Sequence, residues 1–121
     1  MIKSLFIKLE DRYMNNEAIL KQLGYAPNEA LLAQFDRIVD NTKSFEKIQK
    51  HILDLHEHLK VDNSYVAMSN SEDYFKIKIE APSAERTEEA IEKIDHFADK
   101  FKVALQRVEG KNTYYVLGFN K

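Results

Sequence analysis

The apolar residues change their period at Val61-Asp62-Asn63, and that change constrains the fold more than any other feature. Before it they recur at helical spacing; after it they alternate as on a strand. A chain that uses the two periods in separate blocks reads as α+β. Residues 1–62 form a helical half, either a helical hairpin or a three-helix segment. Residues 63–121 form a ββαββ half, an antiparallel sheet with one helix. At 121 residues the two halves belong to a single domain with a shared core.

In the helical half, the opening fits two patterns. Leu5, Ile7 and Leu9 alternate, while Ile2, Leu5, Phe6, Leu9 and Tyr13 make a helical stripe, and the helical segment next in the chain favours the helix. The segment Asn16–Gly24 reads as a helix capped by Asn15 or Asn16 and closed by Gly24. Pro27 suits the first turn of the next helix. Leu31, Ile38, Phe45, Ile52 and Leu59 then fall seven apart, and Ile48 and Leu55 fill positions between them. From Phe45 to Leu59 this is the pattern of a coiled-coil seam. Further back the matching positions are Gln34 and Asn41, and Asn41-Thr42-Lys43-Ser44 is a place where one helix can break into two. The stripe reads first as the core-facing side of a helical bundle, and second as a self-associating seam.

In the other half, Ser64–Met68 and Tyr74–Ala81 read as strands joined by the polar loop 69–73. Val103–Val108 and Thr113–Phe119 make a second pair. Between the pairs, Ser83 caps a helix with Thr87, Ala90, Ile91, Ile94, Phe97, Ala98 and Phe101 on its buried side. The last strand is apolar on both faces, so something besides this helix must cover the second face: the N-terminal helices or a second chain.

The charge pattern narrows the partners. Each half carries 9 Lys+Arg and 10 Asp+Glu, without the clustered positive charge that phosphate binding requires. There is no cysteine, hence no disulfide, thiolate nucleophile or sulfur metal site. The N-terminus has no signal-peptide pattern and no apolar run is long enough to span a bilayer, which leaves a soluble cytoplasmic protein with no membrane partner as the expectation.

Three constellations stand out. His51, His56 and His58 lie near Asp54 and Glu57, but His51 and His58 are about 10.5 Å apart along a helix, too far to share one ion. No metal site is therefore expected without ligands from elsewhere, such as His96. In a parallel dimer, His51 would face His56 of the second copy and make association pH-sensitive. Leu20–Glu29 resembles the turn of a helix-turn-helix, yet Glu29, Asp36 and Asp40 would turn negative charge toward DNA. Tyr74, Lys76 and Lys78 share a strand face, with Tyr114 or Tyr115 and Arg107 as neighbours. Aromatic and basic residues on a sheet can hold single-stranded RNA, although Glu80 lies on the same face. No catalytic motif and no cofactor motif is present.

Together these features favour a non-catalytic protein-interaction or regulatory module acting as a homodimer. Its interaction residues would be Phe45, Ile48, Ile52, Leu55 and Leu59 on the seam, with Tyr114 and Val116 on the last strand. A nucleic-acid-binding regulator is the alternative, and a metal-binding protein the third.

Overall fold

In the computed structural model, which describes residues 16–120, the chain is α+β. Helix α1 ends near residue 22. It is followed by α2 (Glu29–Asn41), α3 (Phe45–Leu59), a short 3-10 turn (Lys60–Asp62), strands β1 (Tyr65–Met68) and β2 (Phe75–Lys78), helix α4 (Ala84–Phe101), and strands β3 (Val103–Arg107) and β4 (Thr113–Phe119). The strands form one antiparallel sheet in the order β1-β2-β4-β3. The expected opening helix or strand over residues 2–13 lies outside the described residues.

Local chemistry sets the boundaries. Gly24, at φ 98°, lets α1 close with paired bonds from Tyr25 N–H to the Leu20 carbonyl and from Gly24 N–H to the Lys21 carbonyl, a Schellman ending. Asn28 then caps α2 by accepting from Leu31 N–H at 2.8 Å. Pro27 therefore precedes the cap and lies outside the first turn where the sequence put it. Ser83 caps α4 as expected, accepting from Arg86 N–H.

The heptad stripe is not one helix, because α2 and α3 part at Thr42–Ser44. The cause lies in the sheet. Strand β2 begins only at Phe75, opposite Val116, so the last residues of β4 have no partner in β2 on that side. Lys43 fills the gap: Phe119 N–H donates to its carbonyl at 2.8 Å, and it pairs with Gly118 as a parallel bridge. A Cβ on Gly118 would lie 2.5 Å from the Lys43 nitrogen, so only glycine allows this approach. Gln34 and Asn41, the polar interruptions of the stripe, hold the β1–β2 loop by donating to the Ser69 and Asp73 carbonyls.

The core lies between the sheet and the helices. Phe35 of α2 meets Phe45 of α3 and Phe75 of β2 edge-on, while Phe45 and Phe75 stack at 5.4 Å. Ile48, Leu59, Val66, Ile77, Ile94 and Val116 are fully buried around them. Helix α3 packs on β1 and β4, and α4 packs on α3 and β3. Of the two candidates for the second face, the N-terminal helices and a second chain, α3 does not take it: it lies beside α4 on the first face. Burying both on one face lets the two amphipathic helices and the alternating strands share a single apolar layer.

Candidate functional site

The seven expected interaction residues are all accounted for inside this core. Phe45, Ile48, Ile52, Leu55 and Leu59 are buried along α3, and Tyr114 and Val116 are buried on the sheet face beneath it. The stripe is thus core-facing within one chain, and its apolar surface is already covered.

The histidines separate. His56 turns inward, 5% exposed, and its Nδ1 accepts from Val66 N–H at 3.0 Å. One residue pair further along the same edge strand, the Tyr25 hydroxyl accepts from Met68 N–H at 3.0 Å. The two side chains occupy donors that an outer strand would otherwise present to another chain. Burial, and then the nearby Lys60 charge, hold the His56 pKa below its ordinary value, against the smaller opposing effects of Glu57 and the Gln22 carbonyl. A cross-dimer pairing of His51 with His56 is therefore excluded by the placement of His56 in its own core.

His51, Asp54 and His58 stay on the outer side of α3 and line a groove of about 390 Å³ facing α4. His96 does come to this groove, from the α4 wall. Even so, among the described residues no three His, Asp or Glu side chains are placed to hold a metal ion.

Among the described residues, the face of the sheet left partly exposed is the one turned away from α3 and α4. The register makes two cross-strand rows on it, Tyr65–Lys78–Thr113 and Ala67–Lys76–Tyr115–Gln106. Leu117 continues the face along β4, and Tyr74 stands against Tyr115 with ring centroids 5.6 Å apart. Except for the exposed Gln106, these side chains are partly exposed. The polar tips at one end are fixed: Tyr65 donates to Glu80 at 3.1 Å, and Lys78 pairs with Glu80 at 3.2 Å. Lys78, and then the Tyr65 hydroxyl, hold the Glu80 carboxyl below its ordinary range, while burial, then the bond to Glu80, push the Tyr65 phenol up. Lys76 has no ion-pair partner among the described residues. The sequence offered Tyr114 or Tyr115 with Arg107 as neighbours here. Tyr115 is one, but Tyr114 points into the core and Arg107 stands over its ring at 5.9 Å, on the other side of the sheet.

A separate cluster ties the helices together. Asp62, fully buried, accepts from Lys93 of α4 at 2.8 Å and lies 3.6 Å from Arg86. The same two cations also reach the His58 and Val61 carbonyls, at the negative end of α3. The bond from Lys93 holds the Asp62 carboxyl below its ordinary range against the cost of burial. This cluster is a structural tie: Lys93 and Arg86 together offset the Asp62 charge, although the oxygen facing Arg86 has an ion-pair contact and no hydrogen bond.

No helix among the described residues is long and apolar enough to cross a membrane. Comparison with known protein families, curated proteins and solved structures gave no match. The fold class is α+β, and any function must be read from the surfaces described above.

Proposed function

We propose that the chain is a non-catalytic binding module whose working surface is the open sheet face, and that its partner is a short, extended polypeptide segment with acidic and apolar side chains. The observation that carries this reading is the gathering of Tyr65, Tyr74, Tyr115 and Leu117 around Lys76 on one partly exposed face. Tyrosine gives large, stiff contact area with a polar tip, the chemistry found at energetic centres of interfaces.

Size and charge select the partner. Four strands at about 4.8 Å spacing and four to five residues at about 3.3 Å make a patch of roughly 300 Å². A stable protein pair buries about 800 Å² on each side, so this face suits a peptide segment rather than a broad docked domain. A second copy laid face to face would set Lys76, unpaired among the described residues, against its own counterpart, which is unfavourable. With the α3 stripe consumed internally, the module works as a monomer.

Selection of a random-peptide library against the full chain tests this. The expected binders carry Asp or Glu beside apolar residues, and lose about tenfold or more in affinity, about 1.4 kcal/mol, with Tyr115→Ala or Lys76→Glu. Binders indifferent to both substitutions would overturn the proposal. So would tight binding of oligouridine that weakens steeply with salt and is lost in the same variants, which would favour nucleic acid.

A further inference from the structure

The groove between α3 and α4 is independent of the sheet face and lies on the opposite side of the molecule's core. The helices run antiparallel here: His51 stacks on Phe101 at one end, and Lys93 reaches the His58 carbonyl at the other. Seven residues of α3 separate those ends, giving a trough about 10.5 Å long. Its volume of about 390 Å³ lies in the range of small-molecule sites.

The walls define a ligand by shape and charge. The His51 and Phe101 rings lie nearly parallel, 10° apart at 3.6 Å, so that their facing surfaces cover each other, and Phe97 follows at 5.9 Å from Phe101; one end is thus walled by aromatic rings. Leu55 extends that wall toward the middle. Lys93 is committed to Asp62. Lys100 has no ion-pair partner among the described residues; its ammonium stands 5.4 Å over the Phe101 ring, beside the aromatic end. Asp54 lines the opposite wall nearer the middle and repels an anion there. A negative group is therefore accepted at the Lys100 end and refused at the centre.

We infer that this groove is a binding site for a small planar aromatic carboxylate, its ring against Phe97, Leu55 and the His51–Phe101 stack and its carboxylate at Lys100. A metal ion lacks a ligand set here, and the trough is too short for a folded partner.

Titration of the full chain with 2-naphthoate, followed by NMR of the histidine and phenylalanine ring protons, tests the site. The acid is expected to bind saturably with Kd of about 1 mM or tighter, shifting His51 and Phe101. The neutral alcohol of the same ring, 2-naphthylmethanol, is expected to bind about tenfold or more weakly, as is the acid to Lys100→Glu. Lys100→Gln, which leaves no reversed charge, should fall between. Equal binding of acid and alcohol, undiminished binding to Lys100→Glu in a chain with unchanged circular dichroism, or shifts confined to residues outside the groove would each overturn the inference.

Discussion

Lowering the pH should loosen the β1 edge through a single side chain. His56 holds Val66 N–H with an unprotonated Nδ1. Protonation converts that acceptor into a donor, leaving two N–H groups facing each other in a buried place, where an unmet donor costs about 1–3 kcal/mol. The folded pKa lies below the ordinary 6.5, so the unfolded chain takes up this proton first. Stability is complete above about 6.5 and falls as the pH drops from there toward the folded value, at up to about 1.4 kcal/mol per pH unit for one proton. From pH 7.5 to 5.5 the loss attributable to His56 is therefore up to about 1.4 kcal/mol, or a few degrees in Tm. The depressed carboxyls, Glu57, Glu80 and Asp62, add stability above their ordinary values of 4.5, 4.5 and 3.8 and lose it only at lower pH, outside this window. His56→Asn supplies an oxygen near the Nδ1 position that cannot be protonated. Urea unfolding at pH 7.5 and 5.5 should show a smaller difference for His56→Asn than for the natural chain. A natural chain equally stable at both pH values, or the same pH dependence in the variant, would refute the reasoning.

Three further perturbations probe the packing. Ile48→Ala empties a fully buried site between α3 and the sheet and should cost about 2–4 kcal/mol in chemical denaturation, enough to unfold much of a marginally stable chain. Gly118→Ala should cost clearly more than Gly110→Ala, since a Cβ at the first meets Lys43 backbone at 2.5 Å and at the second meets open space, although both have positive φ; thermal melts of the pair measure the difference. Asp62→Ala removes the partner of Lys93 and Arg86, but both cations are already 39% and 48% exposed and can turn to water, so the loss should be about 1–2 kcal/mol in urea unfolding, below that for a fully buried pair.

The parts of the fold that were legible in the sequence are those decided locally. Ser83 before an acidic turn, Gly24 after an apolar stripe and the alternation of Phe75, Lys76, Ile77 and Lys78 each declare their element through neighbours a few residues away. The features that escaped depend on distant partners. Nothing near Pro27 shows that Asn28 takes the cap. The polar run Asn41–Ser44 offered a break in the seven-residue repeat without deciding it, because what fixes the break is Lys43 pairing with Gly118 on the vacant side of β4, about 75 residues further on. His56 reads as an exposed helix flank until β1 lies beside it with an unmet N–H. Gln34 and Asn41 look like flaws in a seam, yet they clamp a hairpin loop. For the candidate surface, alternation placed Tyr74, Lys76 and Lys78 together; which tyrosine of the last strand joined them required the register that sets Lys76 opposite Tyr115. The groove was half legible, since helical spacing grouped His51, Asp54 and His58 while the facing wall, apart from His96, comes from α4 packing.

If the open sheet face is where this chain meets its partner, amide shift mapping with an acidic peptide recovered by selection tests it most directly. The largest changes are expected on Tyr74–Lys78 and Tyr115–Leu117, with α3 and α4 unmoved. Changes centred on the helices, with those two stretches silent, would contradict it.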